Sequence, residues 1–202
     1  MGLDWKSLAV GAACGGMVAI FWRQAMSRRV PARGSPRQAA PVNSSRVLAK
    51  GKVAVIIGSG SGIGRAAALR YVSYGMKVML ADIDTADAAS VRDECIAAGA
   101  GEADVLVQQC DCRLEADVRA AQVAAFKAFG KVHLLMNNAA IQSNNRCGPY
   151  EHADRWRTIL ETNLWGVFLG GLAFVPHMIE QAEPAVVVNT GSKQGITVCR
   201  SM

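Results

Sequence analysis

A doubly wound α/β fold, a parallel sheet with helices on both faces, is predicted by three observations. Residues 52–64, KVAVIIGSGSGIG, join an apolar run directly to a cluster of glycines. Four further short apolar runs follow, at 77–81, 104–109, 132–136 and 185–190, and a helix-like segment separates each from the next. Strand and helix in alternation make a parallel sheet. The runs are also largely continuous rather than alternating polar and apolar, as in strands buried on both faces.

The first element pair carries the most information. Val53 to Ile57 are apolar and mostly β-branched, the glycines follow at once, and RAAALRYV after them has helical composition. Glycines let the backbone turn sharply and let an anion approach with no Cβ in the way, while the free N–H groups and dipole of the new helix face it. Strand, glycine turn and helix in this order make a phosphate-binding plan suited to a dinucleotide. GSGSG is also linker composition, but a linker is seldom framed by a buried strand and an alanine-rich helix.

The glycine spacing is specific. Counted as G-x-G-x-x-G from Gly58 and Gly60, the third glycine position holds Ile63 and the fingerprint fails; counted as G-x-x-x-G-x-G, Gly58, Gly62 and Gly64 all fit. This variant resembles the short-chain dehydrogenase/reductase family, whose fold is the Rossmann type. The resemblance implies cofactor contacts along Gly58, Ser59, Gly62, Ile63 and Gly64. It implies hydride transfer between a nicotinamide cofactor and a small alcohol or carbonyl.

The later elements are read in order. Gly75 stops the first helix, and strand 77–81 ends at Asp82. A carboxylate there accepts hydrogen bonds from ribose hydroxyls and repels a 2′-phosphate, which favours NAD over NADP. The alternative is that Asp82 only caps the turn before helix 85–98. Strand 104–109 leads into Cys110-Asp111-Cys112, and the resemblance assigns Asp111 to the adenine amino group. A C-x-C pair without further cysteines or a nearby His is a weak metal signal, so no metal is expected and the six cysteines are read as free thiols.

Helix 114–129 places Val118, Ala121, Ala125 and Phe129 on one side and ends at Gly130. Strand 132–136 runs into Asn137-Asn138-Ala139-Ala140, similar to the family's N-N-A-G with Ala140 for the glycine. There the resemblance implies amides that bridge strand ends and backbone near the cofactor, at Asn138 and Ala139. After a loop at 141–153, residues 154–181 form a long apolar helix. Its stripe of Trp156, Ile159, Leu160, Leu164, Phe168, Leu172 and Val175 is read as mostly core, and the resemblance implies that part of it is an interface to a second subunit. Asn163 matches the family's asparagine, which holds a water in the proton relay and distorts the helix. Strand 185–190 precedes Ser192, which matches the serine that orients the substrate. Gly195 suits the turn after it.

The family's Tyr-x-x-x-Lys, the general acid/base and its lysine, occurs nowhere in these 202 residues. The domain at 51–202 is therefore read as an incomplete form, with the carboxyl-terminal strands and helices missing and strand 185–190 left as an apolar edge. A catalytically silent nucleotide-binding or partner-subunit module, and a fragment without function, are the alternatives.

Charge separates the amino-terminal part from the rest. Residues 1–52 carry nine Lys or Arg against Asp4 alone, whereas the remaining 13 basic and 15 acidic residues nearly cancel. The overall charge of +6 thus reflects a basic leader and is no sign of nucleic-acid binding. Residues 8–22, LAVGAACGGMVAIFW, are apolar or small and end at Arg23, reading as an N-terminal apolar helix that anchors the chain in a membrane within a segment 1–27. The arginine-rich flank would leave the domain cytoplasmic. An organelle-import leader, for a mitochondrion or another organelle, is the rival, while a secretory signal and myristoylation at Gly2 fit poorly. Residues 28–50, with Pro31, Pro36 and Pro41, read as a basic linker.

Overall fold

The computed structural model describes residues 46–142 and 153–192. The segment at 8–22, the proline-bearing stretch up to residue 45, the loop at 143–152 and the residues from 193 onward, Gly195 included, lie outside them.

Five strands form one parallel sheet in the order β3-β2-β1-β4-β5. They are β1 (Val53–Ile57), β2 (Lys77–Asp82), β3 (Val105–Gln109), β4 (Leu134–Asn137) and β5 (Val186–Asn189). The chain adds β2 and β3 on one side of β1 and then crosses to add β4 and β5 on the other. Ile57 lies opposite Ala81 and Asn137, and Asn137 opposite Asn189, so these strands end level at one edge. In such a sheet the crevice at the reversal, between β1 and β4, is where ligands bind.

Alternating residues of each strand feed two cores. On one face Ala54, Ile56, Val78 and Leu80 meet Ala68, Val72, Ala88, Val91 and Cys95 from α1 (Gly62–Ser73) and α2 (Thr85–Ala97). On the other, Val53, Val55, Ile57 and Met79 meet Val118, Ala121 and Ala125 of α3 (Glu115–Phe129) and Leu169, Ala173 and Phe174 of α5 (Gly166–Glu180). All five residues of β1 are buried, each Val or Ile contributing about 1.5–3 kcal/mol. Gly130 ends α3 in the left-handed region at φ 77°, as its glycine required.

Several boundaries differ from expectation. Asp104 belongs to a short 3₁₀ turn before β3, and β4 begins at Leu134, with the His133 side chain just before it in a polar cluster at the start of the sheet. The packed domain also takes in part of the residues read as linker, since Val47 is 1% exposed within the α1 and α2 core.

The long helix is corrected in kind. It comprises α4 (Ala153–Leu160), a π turn (Glu161–Trp165) and α5, and its large-residue stripe is not core. Trp156, Leu160, Leu164, Phe168 and Leu172 are exposed, and the buried positions are Thr162, Gly166, Leu169, Gly170, Ala173, Phe174 and Met178. Small residues face the sheet because the helix passes close to it. A Cβ on Gly166 would lie 2.8 Å from Cys112 Sγ, and one on Gly170 would lie 2.1 Å from Asn137 Oδ1. The stretch Ala153–Glu180 is long and apolar enough to cross a bilayer, but here one of its sides packs on the sheet.

Among the described residues β5 is an edge strand, and Val187 and Val188 are exposed on it, as expected of strand 185–190.

Candidate functional site

The carboxyl ends of β1 to β4 surround a cleft of about 360 Å³ lined by Gly58, Asp82, Asp111, Arg113, Asn138 and Ala139 among others. The glycine turn forms its floor through close backbone approach. Gly58 has φ 86°, and a Cβ there would stand 2.4 Å from the Ala139 nitrogen; at Gly64 a Cβ would meet the Gly58 carbonyl oxygen at 2.0 Å. Neither position admits another residue without moving the turn. Beneath it Ser59 is fully buried, its hydroxyl donating to the Ala81 carbonyl at 3.3 Å. Ile63 is 63% exposed at the start of α1.

The amino terminus of α1 differs from those of α2 and α3. Asp84 caps α2 by accepting from Ala86 and Asp87 N–H, and α3 carries Glu115 and Asp117 in its first turn. By contrast, α1 has no side-chain cap and no acidic residue in its first turn. Its end of the dipole is therefore open to an anion.

Asp82 ties the floor to the wall. One carboxylate oxygen accepts from Gly60 N–H at 2.7 Å and the other from Asp84 N–H at 3.0 Å. Both sequence readings of Asp82 thus have a structural counterpart: it braces the turn before α2 and faces the cleft.

The Asn137-Asn138 pair, at the end of β4, bridges neighbouring strand ends, as the resemblance implied. Asn138 Nδ2 donates to the Gly58 carbonyl at 2.7 Å, and its Oδ1 accepts from Thr190 Oγ1 at 2.9 Å. Asn137 Nδ2 donates to Asn189 Oδ1 at 2.8 Å. Three strand ends, β1, β4 and β5, are thereby cross-linked by amides.

Asp111 lies at the far side, after β3. Its backbone N–H donates to Asp117 of α3, and its carboxylate is paired with Arg113, which holds it below the usual carboxylate range. Arg113 was not anticipated, since charges two apart face each other only in a turn; Asp-x-Arg after a strand end was the available signal. The flanking thiols of Cys110 and Cys112 are buried, and burial above all pushes them up to about 12 and about 11, with the neighbouring Cys112 and then nearby carboxylates adding to it at Cys110 and Asp111 at Cys112.

Asn163 sits in the π turn, the distortion expected of that position. Its amide bonds Ile141 at both backbone groups, 2.9 Å each. Ser192 is exposed beyond β5. The cleft therefore gathers Gly58, Asp82, Asp111, Asn138 and Ala139, whereas Asn163 and Ser192 do not line it among the described residues.

Comparison with known proteins agrees with this geometry. Residues 52–201 match the short chain dehydrogenase family. A cyclohexanol dehydrogenase from Acinetobacter is 34% identical over 145 residues, 72% of this chain and 56% of that protein. A solved short-chain dehydrogenase/reductase from Burkholderia phymatum, in complex with NAD, superposes with a TM-score of 0.67 at 41% identity, covering 76% of this chain and 53% of the other. A 3-ketoacyl-(acyl-carrier-protein) reductase from Brucella melitensis, complexed with NADH, has a TM-score of 0.66 at 35% identity, covering 72% and 58%. The chain thus spans a little over half the length of these relatives. Sheet order, glycine turn and sequence agree that it belongs to the short-chain dehydrogenase/reductase family.

Proposed function

We propose that these residues form the nucleotide half of an NAD-dependent oxidoreductase that interconverts an alcohol and a carbonyl. The observation that carries the reading is the Asp82–Gly60 hydrogen bond, which makes the glycine turn and the acidic end of β2 one unit at the cleft. The fit to a dinucleotide rests on the close backbone approach at Gly58 and Gly64 and on the uncapped start of α1.

In this reading the N–H groups from Gly58 to Gly64 take the diphosphate, with Ser59 bracing the turn from below and Ile63 covering it from outside. Asp82 accepts from the ribose hydroxyls with the lone pairs its two backbone bonds leave free, and its charge disfavours a 2′-phosphate. Asn138 and Ala139 hold the backbone that the cofactor passes. The bound nicotinamide supplies the hydride acceptor or donor. Ser192 orients the substrate oxygen, and Asn163 fixes the chain after β4 beside it. Proton transfer is assigned to none of these residues, since no Tyr-x-x-x-Lys occurs among them. A nucleotide-binding module that does no chemistry itself is the second reading.

Two proposals concern partners. Residues 8–22 anchor the chain in a membrane with the domain cytoplasmic, an organelle-import leader being the alternative. The exposed Trp156, Leu160, Leu164, Phe168 and Leu172 meet a second copy, a reading their apolar area supports.

Titration calorimetry of the 202-residue chain with NAD and NADP tests the cofactor assignment. Wild type should bind NAD the more tightly, by about tenfold or more, and Asp82→Arg should bind NADP better than wild type does. Equal affinities in wild type, or no gain of NADP binding in the variant, would refute it. Turnover of a simple secondary alcohol with NAD separates the enzyme from the binding module.

A further inference from the structure

Asn163 stands in a break of the α pattern, and the residue before it bonds to the chain on both sides of the cleft wall. In an uninterrupted α-helix the Gly166 N–H would bond the Thr162 carbonyl, four residues back. It bonds the Glu161 carbonyl instead, the five-residue step of a π turn. Thr162 makes two further bonds there. Its hydroxyl donates to the Thr158 carbonyl at 2.9 Å, and its own carbonyl accepts from the Cys112 thiol, after β3, with Sγ at 3.9 Å, a weak bond. Thr162 is 8% exposed and lines the cleft, and Gly166 lets Cys112 come close, since a Cβ there would stand 2.8 Å from its Sγ. Thr158 makes the same hydroxyl bond one turn earlier, to Asp154, but within the regular helix α4. A hydroxyl that bonds the carbonyl four residues back bends a helix.

We propose that Thr162 is a positioning residue for the cleft: its hydroxyl ties the π turn to α4, its carbonyl ties it to the chain after β3, and the register so fixed brings the Asn163 amide to Ile141. Successive side chains of a helix are about 100° apart, so a stretch that closed up by one residue would turn that amide away. Both of its 2.9 Å bonds to Ile141 would then be lost. The inference rests on the nucleotide reading of the cleft for its effect on NAD, since Ile141 lines that cleft, but not for its effect on Ile141 itself.

The test follows amide exchange at Ile141 and in β1, together with NAD binding by calorimetry, in the 202-residue chain. Thr162→Val keeps the shape of the side chain and loses the donor. It should quicken exchange at Ile141 and weaken NAD binding by about fivefold each, the worth of one hydrogen bond, with exchange in β1 as in wild type. Thr162→Ser, which keeps the hydroxyl, should stay within about twofold of wild type in both. Thr158→Val removes the equivalent bond from regular helix and should leave Ile141 exchange unchanged. Thr162→Ala carries the test should Thr162→Val fail to fold. Unchanged exchange at Ile141 without the hydroxyl, a serine variant no better than valine, an equal effect from Thr158→Val, or a parallel rise in β1 overturns the inference. Failure of wild type to bind NAD overturns the nucleotide reading, and exchange at Ile141 then still decides the role of Thr162.

Discussion

Asn163 and Ile141 exchange two hydrogen bonds of 2.9 Å, the side-chain amide pairing with the backbone N–H and C=O as a neighbouring strand would. The π turn that carries Asn163 points the amide at the chain leaving β4. Ile141 lines the cleft, so this pair sets where the cleft's wall runs.

Asn163→Ala should therefore loosen that wall without unfolding the domain. Two exposed hydrogen bonds are worth about 0.5–1.5 kcal/mol each at most. Amide exchange at Ile141 should quicken several-fold while exchange in β1 stays as in wild type. Asn163→Asp keeps the acceptor for the Ile141 N–H but turns a carboxylate on its carbonyl, and should be no better than Ala. Unchanged exchange at Ile141 in both variants would deny Asn163 this role.

How far the sequence foretold these arrangements depended on whether the signal was local. Val53 to Gly64 was legible because a buried strand, a glycine turn and a helix start each leave their mark within a few residues. Asp82 and the Asn137-Asn138 pair were legible from their place at the end of a strand. The helix from 153 to 180 was misjudged because apolarity says that a helix is covered, not which side faces the sheet. Gly166, Leu169, Gly170, Ala173 and Phe174 follow the i, i+3, i+4, i+7, i+8 spacing of a buried side, and the small residues among them, Gly166, Gly170 and Ala173, were the clue to close approach. The Arg113 pair and the link from His133 to Glu183, 50 residues apart, depend on turn geometry and tertiary contact, which composition does not record.

Gly170 is a place where that close approach can be measured. An alanine Cβ would sit 2.1 Å from Asn137 Oδ1, a buried oxygen with no hydrogen-bond partner. The better helix propensity of alanine, about 1 kcal/mol, is outweighed by forcing the helix off the sheet. Gly170→Ala should lower stability by about 1–3 kcal/mol in chemical denaturation. The loss should shrink in an Asn137→Ala background, where the clashing oxygen is gone. Equal losses in both backgrounds would show that the contact is not the cause.

The buried thiols should be inert. Burial raises Cys95 and Cys112 to about 11 and Cys110 to about 12, so at pH 8 the thiolate fraction is on the order of one in a thousand or less. Iodoacetamide should label these three in the folded chain at least about a hundredfold more slowly than in urea, read by peptide mass spectrometry. Rapid native labelling of Cys110 or Cys112 would contradict their burial.

Acid should destabilise the domain from the end opposite the cleft, through His133. The Val53 N–H donates to its Nδ1 at 3.1 Å, which places the ring proton on Nε2, 2.9 Å from Glu183 Oε2. Burial foremost, with Lys52 and Lys131 nearby, holds the imidazole below its ordinary value against the opposing pull of Glu183. A second proton would also break the bond from Val53. With the folded pKa below the unfolded one, the unfolded chain gains the proton first, so stability falls as pH drops through about 6.5. Glu183, held well below its usual range by bonds from Lys131, Lys52 and His133, adds a loss only below about pH 4.5. One histidine limits the upper slope to about 1.4 kcal/mol per pH unit. Denaturation between pH 7.5 and 5.5 should show this decline in wild type and a flatter line in His133→Gln, which has no proton to gain. Parallel lines would place the acid sensitivity elsewhere in the chain.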